Sequence, residues 1–137
     1  MAALTITAAN IIKGTGSQIA TNIAGETITA GMAVYIKSAD NKIYKADANL
    51  SAEASGAVGV SLHAALANQP IVYQVGGPLS FGAILTAGII YVVGATTAGD
   101  INPSTDLATG WYTNVLGYAL TTSSMQIQPI NTGVALA

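Results

Sequence analysis

The residues able to do chemistry are few and scattered. The chain has one histidine, His63, and six carboxylates, Glu26, Asp40, Asp47, Glu53, Asp100 and Asp106. A general acid and base need two titratable groups brought to one reacting atom. No spacing here marks such a pair. His63 closes a strand at the start of a connector and reads as structural. Asp100, Asn102 and Asp106 could offer oxygens to a calcium ion, but their spacing does not fit an EF-hand loop and Pro103 stiffens the segment, so they read as turn and cap residues. Gly14-Thr15-Gly16 lacks the third glycine and the following βαβ unit of a dinucleotide loop. No Gly-x-Ser-x-Gly elbow and no phosphate-binding Gly-Lys-Ser/Thr loop is present. With no cysteine, disulfides and thiolate metal sites are excluded. The expectation is a protein without catalytic, metal or cofactor-binding residues, and not an enzyme.

Composition points to association instead. Hydrophobic residues make up 51% of the 137 and charged residues 7%, against about 25% charged in ordinary globular chains. Such a surface calls for a cover, most simply by copies of the chain itself. The basic residues are Lys13, Lys37, Lys42 and Lys45, with no arginine. No stripe for phosphates exists, so nucleic acid is not an expected partner. The start of the chain lacks the basic region of a secretory signal. Residues 79–95 are apolar and uncharged, near the ~18-residue length of a membrane span. Gly82, Gly88, Gly94 and the repeat described next argue against a membrane.

The elements repeat. Thr29-Ala30-Gly31-Met32-Ala33-Val34-Tyr35-Ile36 is echoed by Thr86-Ala87-Gly88-Ile89-Ile90-Tyr91-Val92-Val93. The glycine-centred Val58-Gly59-Val60-Ser61-Leu62 is echoed by Leu116-Gly117-Tyr118-Ala119-Leu120. This pattern is an internal duplication of one β-unit, over residues 25–63 and 83–120. Residues 1–24 form an extended N-terminal arm with no counterpart in the second half, and residues 25–137 a single β domain. In the arm, residues 4–7 alternate as a strand, and Leu4, Ile6, Ile11 and Ile12 must dock on this domain or a neighbour. Met32, Val34 and Ile36 face one way, Ala33, Tyr35 and Lys37 the other. Asp47 is placed to cap a helical turn over 46–55. Gly76-Gly77-Pro78 reads as a turn between two strands. The second copy's strand is apolar on both faces, so Ile90 and Val92 are expected to lie against a partner subunit or the arm. Trp111-Tyr112 interrupts the echo, and reads as a plug between the units, an inter-subunit anchor or a sugar-stacking platform. About ten short strands with Gly, Pro, Asn and Asp between them make an all-β sandwich or barrel-like domain.

Residues 28–36, Lys45-Ala46-Asp47-Ala48 and Val58-Gly59-Val60-Ser61-Leu62 resemble the small capsid decoration, or cement, proteins of tailed phages. Gly76-Gly77-Pro78, Gly88-Ile89-Ile90-Tyr91-Val92 and Leu116-Gly117-Tyr118-Ala119 continue the pattern. The resemblance implies a non-enzymatic β module, frequently a homotrimer, assembled in the host cytoplasm and bound outside an icosahedral shell. Its partners would be its own copies and the major capsid protein, and it would brace the shell against genome pressure. It brings no catalytic residues. The interface expected on this reading comprises Leu4, Ile6, Ile11, Ile12, Ile90, Val92, Trp111 and Tyr112. The alternative is a phage fibre, tail or baseplate module with a glycan-binding surface.

Overall fold

Threonine, valine and isoleucine alternating between glycine-containing turns fold here into β-structure and almost nothing else. The computed structural model describes residues 3–136; Met1, Ala2 and Ala137, the ends of the arm and tail, lie outside the described residues. The strands are β1 (Ile12–Lys13), β2 (Gln18–Ile23), β3 (Ala33–Lys37), β4 (Lys42–Lys45), β5 (Gly59–Ser61), β6 (Pro70–Ser80), β7 (Ile90–Val93), β8 (Ile101–Pro103), β9 (Tyr112–Ala119) and β10 (Ser124–Ala135). All pair antiparallel in one strongly curled half-barrel sheet, ordered β4-β3-β5-β6-β10-β9-β7-β8, with β1 and β2 along β6. One short helix, α1 (Ala52–Ser55), stands between β4 and β5. Its cap is Ser51, whose Oγ accepts from the Ala54 N–H at 3.0 Å. Asp47 instead accepts from Asn49 N–H two residues on, a local turn that competes with helix capping.

The duplication is visible in the registers. Gly31 and Gly88 both take φ +82°, a conformation glycine adopts without a Cβ penalty. Each N–H donates at 2.9 Å to the matching carbonyl, Ser61 O for Gly31 and Ala119 O for Gly88. Val34 faces Gly59 on one side and Lys45 on the other, and Tyr91 faces Gly117 and Pro103 in the same way. At Gly59 a Cβ would stand 2.1 Å from Gln74 O, and at Gly117 2.1 Å from Gln126 O. The two strand pairs approach too closely for any side chain there.

The registers also extend the repeat beyond residues 25–63 and 83–120. Ile19 of β2 opposes Gln74 as Pro78 opposes Gln126. The second half of β6 therefore does for unit 2 what β2 does for unit 1. β2, expected in an arm with no counterpart, has one. The likeness escapes a reading of residue types because Ile19 and Pro78 share only a place in the ladder. The same observation corrects the turn expected at Gly76-Gly77-Pro78. β6 runs straight through it, bending at Gly77, which has φ +86°. The buried Gln74 amide donates to the carbonyls of Gly76, Gly77 and Pro78 at 3.1, 3.0 and 2.8 Å, which holds the bent segment in place.

Two apolar cores result. The larger joins both units and gathers Tyr35, Val60, Phe81, Tyr91, Leu116 and Met125. The smaller lies under unit 1 around Ile28, Val34, Ile43 and Tyr73. Each such side chain removed from water contributes about 1.5–3 kcal/mol. β3 alternates as expected, sending Ala33 and Tyr35 to the larger core and Val34 to the smaller. The arm lies on its own domain. Leu4 N–H donates to Ile101 O at 2.8 Å, and residues 12–14 and 18–23 run along β6. Residues 4–7 stay out of the strand ladder, while Ile6 and Ile11 pack over Gly31. At the other end, Leu136 N–H donates to Trp111 O and Gly110 N–H to Leu136 O, tying the tail beside the aromatic pair.

Candidate interaction surface

The ionisable groups serve turns and connections. His63 Nδ1 donates to Ala64 O, which leaves Nε2 to accept from Val72 N–H at 3.0 Å. The ring thus joins the connector to β6. Glu53 accepts from the N–H and hydroxyl of Ser38, which hold its carboxyl below the usual range. The Tyr44 hydroxyl, 2.6 Å from Asp40 Oδ2, does the same for Asp40. Glu26 spans to Lys45, accepting from its N–H at 2.9 Å with Nζ 3.8 Å away. Asp100 accepts from Thr97 N–H, and burial pushes its carboxyl up. Asn102 donates to Asp106 Oδ2 at 2.9 Å, which holds Asp106 low. Among the described residues, no three histidine or carboxylate groups gather as a metal site. A cleft of about 490 Å³ lies between the arm and unit 2, lined by Leu4, Ile84, Thr86, Tyr91 and Pro103 among others. Tyr91 OH accepts there from Thr86 N–H.

The residues expected at an interface divide into three groups. Val92 is 1% exposed and Ile11 is buried as well, so both belong to this chain's interior. The neighbours of Val92, Tyr91 and Val93, enter the larger core, so Val92 stays on the other face and is covered there by the chain itself. The ladder to β9 slips beside it, from Tyr91–Gly117 to Val92–Val115, which makes Leu116 the extra residue of a bulge in β9. Leu4, Ile6 and Trp111 are half-buried against the larger core. Tyr112 is half-buried too, with its N–H on Ala48 O at 2.7 Å. Ile12 at 61% and Ile90 at 46% remain open to solvent.

Ile90 has company that a strand-by-strand reading misses. Tyr118 lies directly across from it, followed by Gln126 and Pro78 on the next strands. The neighbouring row joins Leu120, whose N–H donates to Ser124 O, to Ser124, Ser80 and Ile12. Tyr118 is 41% exposed and Leu120 48%. Residues two apart on a strand share a face, so these two rows are one surface. Their signal in the sequence is Tyr118 and Leu120 at i and i+2, masked by the small residues that alternate with them, Gly117 and Ala119.

No protein-family model matches the chain, and no curated protein matches it. The surface must therefore be judged by its own chemistry. From Leu107 onward the sequence has no charged side chain. The face of β9 and β10 presents rings, aliphatic groups, amides and hydroxyls only.

Proposed function

We propose that the chain is a structural virion protein, a self-associating decoration or cement protein on the outside of an icosahedral phage capsid, working as a trimer. The observation that carries this reading is the broad uncharged face of unit 2, with Ile90, Tyr118 and Leu120 standing in solvent. An apolar face of this kind is at home against another protein. Many modest contacts, repeated by the symmetry of a shell, then act together through effective concentration. The resemblance of the turn and strand motifs to those of decoration proteins supports the choice of partner. His63, Glu53, Asp40 and Glu26 hold turns and connections through hydrogen bonds, which suits a structural role.

The test is cosedimentation of the purified protein with empty expanded and unexpanded phage shells. The expected result is saturable binding to one of the two, with shells surviving a higher temperature when decorated. Absence of binding to either, by a protein that remains folded, would overturn the proposal. A fibre, tail or baseplate adhesion module is the second reading, favoured by the half-open rings of Trp111 and Tyr112. It predicts that glycans quench Trp111 fluorescence.

A further inference from the structure

Resting on the self-association reading above, we propose that copies of this chain meet through the outer face of β7, β9 and β10, with Tyr118 at the centre of the contact. The repeat supplies the reason. One row of cross-strand neighbours exists twice, as Ala33–Val60–Gln74–Ile19 in unit 1 and as Ile90–Tyr118–Gln126–Pro78 in unit 2. In unit 1 the first three are buried by the chain itself. In unit 2 the same places carry larger side chains, Ile90 for Ala33 and Tyr118 for Val60, and both are exposed. The fold covers this position once from within and leaves its twin uncovered.

The turn beside the row behaves likewise. Ile6 and Ile11 lie over Gly31, whereas nothing stands within 4 Å of the Cβ position at Gly88. An uncovered turn and an uncovered row thus adjoin.

A second copy is the occupant that the charges favour. A partner presenting lysines or carboxylates would lose their hydration against this face and find no opposite charge in return. This chain's own face presents none, so it can meet itself around a symmetry axis at no such cost. The face crosses five neighbouring strands, β1, β6, β10, β9 and β7, which at about 4.8 Å each makes it about 19 Å wide. That is the scale of a subunit contact rather than of a small-ligand site.

The test compares Tyr118→Arg and Leu120→Arg with Leu66→Arg, an exposed leucine elsewhere, by equilibrium sedimentation of folded protein. Both variants on the face should weaken self-association at least tenfold, and Leu66→Arg should leave it unchanged. An assembled Tyr118→Arg protein, indistinguishable from the unsubstituted one, overturns the inference and leaves the self-association reading standing. A monomeric unsubstituted protein at micromolar concentration overturns both. Because the chain has no cysteine, Tyr118→Cys offers a second measurement that tolerates a misfolding arginine variant. Oxidation should link it to a second copy, whereas Leu66→Cys should stay unlinked; equal yields from the two would also overturn the inference.

Discussion

Replacing Gly31 and Gly88 by alanine separates the cost of a backbone conformation from the cost of a neighbour. Both glycines have φ +82°, so alanine at either pays the same left-handed penalty of about 1–2 kcal/mol. At Gly88 the new methyl meets nothing within 4 Å, and that penalty is the whole effect. At Gly31 the methyl would lie 2.6 Å from Ile6 Cγ2 and 3.1 Å from Ile11 Cδ1. Carbon atoms pack at about 3.5–4.0 Å, so Ile6 must retreat by about 1 Å. Overpacking of this kind costs roughly 1–3 kcal/mol, and the half-buried Ile6 has room to yield, so the lower part of that range applies. Gly31→Ala should therefore destabilise by about 1 kcal/mol more than Gly88→Ala. Urea unfolding with unchanged slope reads the difference. Repeating the pair in an Ile6→Ala background should shrink the gap, since the clashing methyl is gone. Equal losses in the parent chain, or a gap that Ile6→Ala leaves intact, would refute the packing of the arm on the first turn.

Gly59→Ala and Gly117→Ala should each cost about 3 kcal/mol or more, because the opposing atom at 2.1 Å is a backbone oxygen that no rotamer can move. Melting curves check this, and a loss below about 1 kcal/mol at either site contradicts the close strand approach. Gln74→Leu keeps the volume but removes the donor shared by three carbonyls, and should cost about 1–3 kcal/mol by the same measurement. Asp100 has a raised folded-state pKa because burial disfavours its charged form, so its contribution is most favourable when protonated and fades as pH rises through the folded value. Asp100→Asn, which keeps an acceptor for Thr97, should raise Tm at neutral pH and have no charge effect well below ~3.9, where the carboxyl is protonated folded or unfolded. A lower Tm for the asparagine variant at neutral pH is the contrary result.

The glycine turns and the alternation of β3 are legible in the sequence because they are local. Gly31 and Gly88 must be glycine for the backbone, and Val34 between Ala33 and Tyr35 must choose a face. What escapes a local reading is set by partners distant in the chain. Gly76-Gly77-Pro78 carries every mark of a turn, yet Gln74 lends its amide to the segment and the strand continues. β2 matches the second half of β6 by position alone, with no residue type in common to reveal it. Of the surface residues, Ile90 is legible from an apolar strand. Val92 is not, because it shares the side of Ile90 and yet is covered by distant parts of its own chain. Tyr118 becomes visible as a surface residue only once its cross-strand neighbour is known.

The strand shared between the two copies has a consequence for how this molecule can come apart. Because the first part of β6 completes one unit and its remainder opens the other, the two copies are joined by one unbroken strand and by the larger core that both line. A cut at Gly76 would leave each copy its own strands but divide that core between them. The intact chain should therefore melt as a single piece.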